Sequence, residues 1–481
     1  MREIWGSVSA ARAGHGRAKG PAPDRSVERP NRTSHRGRRL VALVAVAGLA
    51  LAACGNSGDD SEDSGSGTTT TAGGDDAQPI SGVPGVTDTE IRFAAFGTQA
   101  NNPLGTCVLD CYVEGINAYF AFRNSEGGVH GREMTLTTVL DDELSNNQQR
   151  ALEILSADDT FGAFSATQVP SGWADMADAG VPLYTWSIHP AEATGRESIF
   201  GYAGVICTLC TGRAVPYAGE LVDATTVATL GYGISPNSAD CATGGADSIE
   251  LYGEDTGLEL GYTNNDLAFG LPNGIGPEVT AMKDAGVDFI AGCLDLNGMK
   301  TLAQELERQG MGDVPMYHPN TYDAGFVREA GDLFEGDLVS VGFRPFEADP
   351  GDSQLADFQQ WMDETGAEIT EISMIGWINA DLAYQGLVAA GPQFDRASVI
   401  AATNEMTEYT AGGLVAPIDW TRQHEPPTEE DPASHGAAQI CNSLVRVVDG
   451  EFELVGDAAN PFLCWDGANR DWAEPDEVDF E

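Results

Sequence analysis

EGINAYFAFRNSEGGVHGREMTLTTVLDD, residues 114–142, is the stretch whose reading decides the fold. Its first part repeats apolar residues at helical spacing (Ile116, Tyr119, Phe120), which predicts a helix over 113–125. Gly127-Gly128 closes that helix, since glycine enters the left-handed backbone of a helix end without a Cβ clash. Gly131 marks a second tight turn, and residues 134–140 read as a strand that ends in Asp141-Asp142.

The same alternation continues outward. Upstream, 91–96 is a short apolar strand that opens into a polar loop, 97–106. Downstream follow a helix (146–155), a strand (161–164), a helix (172–179) and a strand (182–186). The pattern restarts with strands at 225–232, 258–262, 287–292 and 316–318, separated by helices at 244–251, 276–285 and 299–309. Strands alternating with helices predict a mostly parallel sheet covered on both faces, and two such runs predict an α/β fold of two lobes. Ligands of open parallel sheets bind at the loops that follow strand carboxyl ends, so a cleft between the lobes is the expected site.

Charge narrows the function. The 481 residues carry 25 Lys+Arg against 74 Asp+Glu, a net of −49. The first 53 residues hold 10 of the bases and 3 of the acids, which leaves −56 on the remainder. So acidic a body repels phosphate backbones and anionic membrane surfaces, and nucleic-acid binding is not expected. It also suits a saline habitat. The presence of only three lysines (Lys19, Lys283, Lys300) fits a GC-rich genome equally well.

The front of the chain reads as an export signal. Arg36, Arg38 and Arg39 precede an apolar run, LVALVAVAGLALAA over 40–53, which is shorter than the ~20 residues that span a bilayer. It ends Leu51-Ala52-Ala53-Cys54, similar to a bacterial lipobox, so residues 1–53 are expected to be a lipoprotein signal peptide and Cys54 the lipidated residue. The residues ahead of the basic cluster suggest a later start, with Val27 as the candidate initiator. Residues 54–87 lack aromatics and any period and are expected to form a disordered tether, with a reach of ~30 Å for such a length.

Eight cysteines remain beyond Cys54, an even number that favours disulfides in an exported protein. Sequence-local pairing gives Cys107–Cys111, Cys207–Cys210, Cys241–Cys293 and Cys441–Cys464, one of 105 possible connectivities. Cys207 and Cys210 have the spacing of a redox pair, but Thr211-Gly212 follows where a redox motif opens a helix, and a structural bridge is the better reading. No histidine stands at ligand spacing from a cysteine pair, so no metal is expected.

The stretch quoted first resembles the type I periplasmic binding proteins of the branched-chain amino-acid and amide group. That family carries a helix ending in N-x-x-GG-[IV]-x-G-[RK], a strand and a D-[DN] pair. The matching residues are Asn124, Gly127, Gly128, Val129, Gly131, Arg132, Asp141 and Asp142. TAGGLVAPIDW at 410–420 with His424, and a late strand at 444–448 before Asp449-Gly450, are similar to the family's closing segment. The resemblance covers roughly 88–465 and implies two lobes joined by three crossovers, 88–208 with 342–420 and 212–338 with 421–481. It implies an extracytoplasmic solute-binding lipoprotein of an ABC importer, a monomer that hinges shut on a small amino-acid- or amide-like solute and docks on a membrane permease. The alternative is a sensory lipoprotein that uses the same fold and signals through a membrane partner.

Four loops match the family's ligand loops by position. Ser165, Thr167 and Gln168 follow one strand, where hydroxyls and free N–H groups at a helix start suit a carboxylate or carbonyl oxygen, or simply cap that helix. Trp186, Ser187 and His189 follow another, and Trp186 either stacks on an apolar part of the solute or belongs to the core. Asp295 and Asn297, and then Asn320, Tyr322 and Asp323, form the two loops of the second lobe. Amino-acid binders of the family often place a carboxylate just after the proline of that last loop, to pair the ligand ammonium. Here Pro319 is followed by Asn320, which leaves Asp295 and Asp323 to restore the charge, or to be solvated loop residues. No Gly-x-Ser-x-Gly, His-Glu-x-x-His or phosphate-loop sequence occurs, so neither catalysis nor a cofactor is expected.

Overall fold

The computed structural model describes residues 80–428 and 439–480. The expected signal peptide, Cys54 and most of the expected tether lie outside the described residues. The tether's last residues do not behave as one. Ile80, Val83 and Val86 pack on the core, Val86 bridges Ile91, and the Arg132 guanidinium Nε donates to the Thr87 carbonyl (2.7 Å). Residues 80–87 therefore pack with the body, because apolar side chains and backbone partners there offset the cost of order.

Five strands, β1 (Glu90–Gly97), β2 (Glu133–Asp141), β3 (Gly162–Ala166), β4 (Leu183–Thr185) and β5 (Ile199–Gly201), form an all-parallel sheet in the order β2-β1-β3-β4-β5. Helices α1 (Leu109–Ser125), α2 (Asn147–Ala157), α3 (Trp173–Asp178) and α4 (Pro190–Ala193) connect them. The deciding motif does its work at the end of α1. The Asn124 amide gives and takes a hydrogen bond with the Met134 backbone (both 2.9 Å), locking the helix end to β2. Gly128 and Gly131 hold φ of +69° and +75°, and a Cβ at Gly128 would lie 2.0 Å from the Arg132 carbonyl oxygen.

A second sheet of nine strands starts with a parallel set: β6 (Thr226–Tyr232), β7 (Glu259–Leu267), β8 (Phe289–Cys293), β9 (Met316–His318) and β10 (Leu338–Val341). Between them run α5 (Ala214–Glu220, leading into β6), α6 (Pro236–Thr256), α7 (Gly276–Ala285), α8 (Leu296–Gln309) and α9 (Ala324–Ala330). After β10 come three helices, α10 (Leu355–Thr365), α11 (Glu371–Ala390) and α12 (Arg396–Asn404). The chain then returns to the second sheet with antiparallel β11 (Gln439–Val448), β12 (Glu451–Leu454), β13 (Phe462–Asp466) and β14 (Asp476–Val478), completing the order β14-β13-β11-β10-β9-β8-β6-β7 with β12 beside β11.

Helix α11 belongs to the first sheet's side. Thr370 and Ser373 cap it reciprocally, and it buries residues on every face, including Trp377, Ile378 and Leu382. Each such side chain contributes about 1.5–3 kcal/mol. Its closeness to α1 depends on two glycines. A Cβ at Gly115 would lie 1.8 Å from the Ser373 carbonyl oxygen, and one at Gly376 2.2 Å from that of Tyr112. Trp377 stacks on Phe122 and meets Tyr119 edge-on (5.7 and 5.0 Å between centroids).

Two crossovers, after β5 and after β10, are described, and the expected third crossover lies outside the described residues. Residues 421–428, expected in the second lobe, lie against the first sheet's side. There Gln423 Oε1 accepts from the Val205 backbone (2.8 Å), and the His424 ring lies on Trp420 and 3.3 Å from the Ala193 carbonyl. Four disulfides join Cys107–Cys111, Cys207–Cys210, Cys241–Cys293 and Cys441–Cys464. Among the described residues no helix is long and apolar enough to cross a membrane.

Candidate ligand-binding site

The carboxyl ends of β3 and β4 face those of β8 and β9 across a cavity of about 700 Å³. Of the residues singled out in the sequence, Thr167, Gln168, Trp186, Ser187 and His189 line one wall. Asp295, Asn320, Tyr322 and Asp323 line the other. Ser165 and Asn297 do not line it. Ser165 is fully buried at the end of β3 and accepts a hydrogen bond from Trp173 Nε1 (2.9 Å). Asn297 points outward and donates to the Pro103 carbonyl (3.1 Å), tying the loop after β1 to the second sheet.

Lining the cavity is not the same as facing a solute. On the first wall the Thr167 hydroxyl donates a hydrogen bond to Asp142 (2.5 Å). Asp142 is fully buried and also accepts from Thr98 Oγ1 (2.9 Å), Asn147 Nδ2 (3.1 Å) and the Leu144 backbone (2.8 Å). The Gln168 amide nitrogen is buried without a hydrogen-bond partner among the described residues, which leaves it a donor for something that enters. His189 donates through Nδ1 to the Ile206 carbonyl (2.8 Å), and burial holds its imidazole below the ordinary value against the pull of Glu192. The ring is therefore neutral near neutral pH.

On the second wall the aspartates are engaged. Asp295 caps α8 through the Gly298 backbone and accepts the Tyr232 hydroxyl (both 2.9 Å). Asp323 caps α9 through the Phe326 backbone and accepts the Thr106 hydroxyl from the loop after β1 (both 2.8 Å). Tyr322 is 2% exposed; its hydroxyl donates to Glu347 and accepts from the Phe346 backbone (2.8 Å), and its ring stacks on Phe346. Burial, with Glu347 beside it, pushes that phenol far above its ordinary value, so it stays protonated.

Two acidic residues of the lining, Glu192 and Glu371, were not foreseen. Glu371 is the first residue of α11. Burial, with the charge of Asp323 adding to it, pushes its carboxyl up to about 8. The sequence offered one hint, the Thr370–Ser373 cap that opens a long apolar run, but a glutamate is no signal in a chain so rich in acids. Aromatic faces from Trp186, Tyr202, Tyr232, Phe269 and Trp465 complete the lining. Among the described residues no three His, Cys, Asp or Glu side chains are grouped to hold a metal ion.

A family model described as "Periplasmic binding protein" matches residues 106–430. No curated protein sequence matches the chain. Among solved structures, a leucine-binding protein of Thermotoga maritima superposes with a TM-score of 0.61 at 13% identity, covering 76% of this chain and 98% of that one. A solute-binding protein of R. palustris in complex with 4-hydroxybenzoate gives 0.60 at 16%, covering 76% and 96%. A branched-chain amino acid transporter component of Thermus thermophilus with bound valine gives 0.57 at 15%, covering 77% and 96%. At such identities the likeness is one of fold: two helix-flanked sheets with a cleft between their carboxyl edges. The family model spans more than half of the chain, and the chain belongs to the periplasmic binding proteins, in their type I form, a family of binders and not of enzymes.

Proposed function

We propose that this protein is the extracytoplasmic solute-binding lipoprotein of an ABC importer, and that it captures a small amino-acid- or amide-like solute by hinge closure. The single observation that carries the reading is the cavity of about 700 Å³ at the carboxyl ends of both sheets, in a chain that joins those sheets by crossovers. The lobes are residues 80–208 with 342–428, and 212–341 with 439–480. Closure brings the loops after β3 and β4 onto those after β8 and β9, and the closed form docks on a permease. Relatives of the fold crystallised with valine or leucine support the size class of the solute. Cys54 carries the lipid that holds the protein at the outer face of the membrane.

Thermal unfolding of the purified protein against amino acids, amides and aromatic acids tests the capture. A ligand at a hundredfold excess over Kd adds ~2.7 kcal/mol and raises Tm by several degrees. Replacing Trp186 and Tyr322 by alanine removes that shift. A folded sample that no small solute stabilises would rule the reading out. The anchor is checked by fatty-acid labelling in a bacterial host, with Cys54→Ser expected to abolish incorporation.

A further inference from the structure

The cavity extends beyond the four strand-end loops into an arm. From Tyr202 to Arg213 its wall is the first crossover, which carries the chain from β5 to α5. That crossover lies along α6, where a Cβ at Gly244 would stand 2.5 Å from the Thr208 carbonyl oxygen. Ser238, near the start of α6, and Tyr252, near its end, both line the cavity, which therefore follows the helix for ~20 Å. Cys207, Cys210 and Cys441 line the arm, each held in a disulfide, and Tyr252 and Trp465 give it aromatic walls. Charge is segregated along this length. Glu192, Asp295, Asp323 and Glu371 stand at the cleft, on α4, on the loops after β8 and β9 and on α11, whereas Arg213 and Arg470 line the arm. Arg213 is 7% exposed. Its Nε donates to the Asp471 carbonyl (3.0 Å), its Nη2 to the Asn469 carbonyl, and its guanidinium lies 5.8 Å from the centre of the Tyr252 ring. None of these partners is charged. The buried Arg344, by contrast, pairs with the Asp479 carboxylate.

Resting on the solute-capture reading, we infer that the solute is elongated, with its amide- or amino-acid-like group at the strand-end loops and a carboxylate at its far end that pairs with Arg213. An enclosed guanidinium is costly without a counter-charge, and carbonyl dipoles supply only part of one. Of its five N–H donors the two carbonyls take two, which leaves the Nη1–Nη2 edge for a planar carboxylate. The near end has a marker of its own. The Gln168 amide nitrogen, buried at the first wall without a hydrogen-bond partner among the described residues, suits a carbonyl oxygen. A cavity of about 700 Å³ falls within the ~300–1,000 Å³ of pockets that enclose drug-sized ligands, which gives such a molecule room. Arg213, Tyr252 and Trp465 all belong to the second lobe, so the carboxylate site is formed before closure.

Titration calorimetry on the full chain tests the inference with a length series. The probes are the monoamides of succinic, suberic and dodecanedioic acids, the matching diamides, and L-leucinamide. One of the two longer acids is expected to bind about tenfold or more tightly than both its diamide and the succinic member. Arg213→Met should erase that advantage and leave the diamide little changed. Arg213 also ties down residues 469–471, so a purely structural role would weaken acid and diamide alike and keep their ratio, a result that overturns the inference. Thr211→Trp fills the arm away from the strand-end loops, and should weaken the long acid while L-leucinamide is unaffected. A series in which L-leucinamide or the succinic monoamide binds as tightly as any longer acid overturns the inference and leaves solute capture standing. A folded sample that binds none of these probes overturns it as well, and L-leucine and benzoate then decide on capture, which stands if either binds and falls if neither does.

Discussion

Two carboxylates on the first sheet's side of the cleft, the buried Asp142 and the half-buried Glu371, have different surroundings. Asp142 follows β2 and receives three side-chain donors and a backbone N–H, so its charge is shared among fixed dipoles. Glu371 opens α11 and lines the cavity, where burial and the charge of Asp323 push its carboxyl up to about 8. The difference separates architecture from chemistry. A carboxylate whose lone pairs are filled by its own chain holds loops in place, whereas one that lines a cavity titrates according to that cavity's burial and charge.

The largest effect is expected from breaking the satisfied member. Asp142→Leu strands the Thr98 and Thr167 hydroxyls, the Asn147 amide and the Leu144 N–H, and should cost about 4 kcal/mol in urea unfolding. A loss below about 1 kcal/mol would mean that water replaces Asp142 without penalty. Next is the pH dependence that Glu371 imposes. Its folded value of about 8 lies above the ordinary 4.5, so the folded state holds the proton more tightly than the unfolded chain. Stability from this group is full below about 4.5, declines as pH rises through the window and is lost above about 8. The decline is on the order of 2–3 kcal/mol after allowance for solvent in the cavity, and Glu371→Gln should flatten it in urea melts across that range.

Smaller effects come from the contacts around the pair. Tyr322→Phe removes the hydroxyl that bridges Glu347 and the Phe346 backbone and should cost about 1–2 kcal/mol, with the Glu347 carboxyl left without that donor. Thr106→Val removes the bond from the loop after β1 to Asp323 and should cost about 1 kcal/mol. Hydrogen exchange should show faster opening of residues 98–106 in that variant and an unchanged rate in α11.

Much of the fold was legible because its signals are local. α7 and β9 fall where the sequence placed them, at 276–285 and 316–318, since Gly286 ends the one and a short apolar run makes the other. α11 escaped, for an apolar run buried on every face has no period to read. α6 starts at Pro236 and not at 244, because its first turns are polar and small. The loops that line the cavity were legible by their place after strands, yet the direction of each side chain was not. Thr167 turns to Asp142, and Asp295 and Asp323 turn to helix ends, for reasons that lie 25 residues or more away or in the backbone of the next helix.

By itself the sequence determined the alternation of strands and helices, the tight turn after α1 and the acidic body, because periodicity, glycine backbone freedom and charge are properties of neighbouring residues. The tertiary structure alone decided that Glu371 meets Tyr322 and Tyr202 in the cavity while Asp142 is closed off. Hydrogen-bond satisfaction depends on groups brought together from distant parts of the chain, and the number of donors each carboxylate finds is set only when the sheets and α11 have packed.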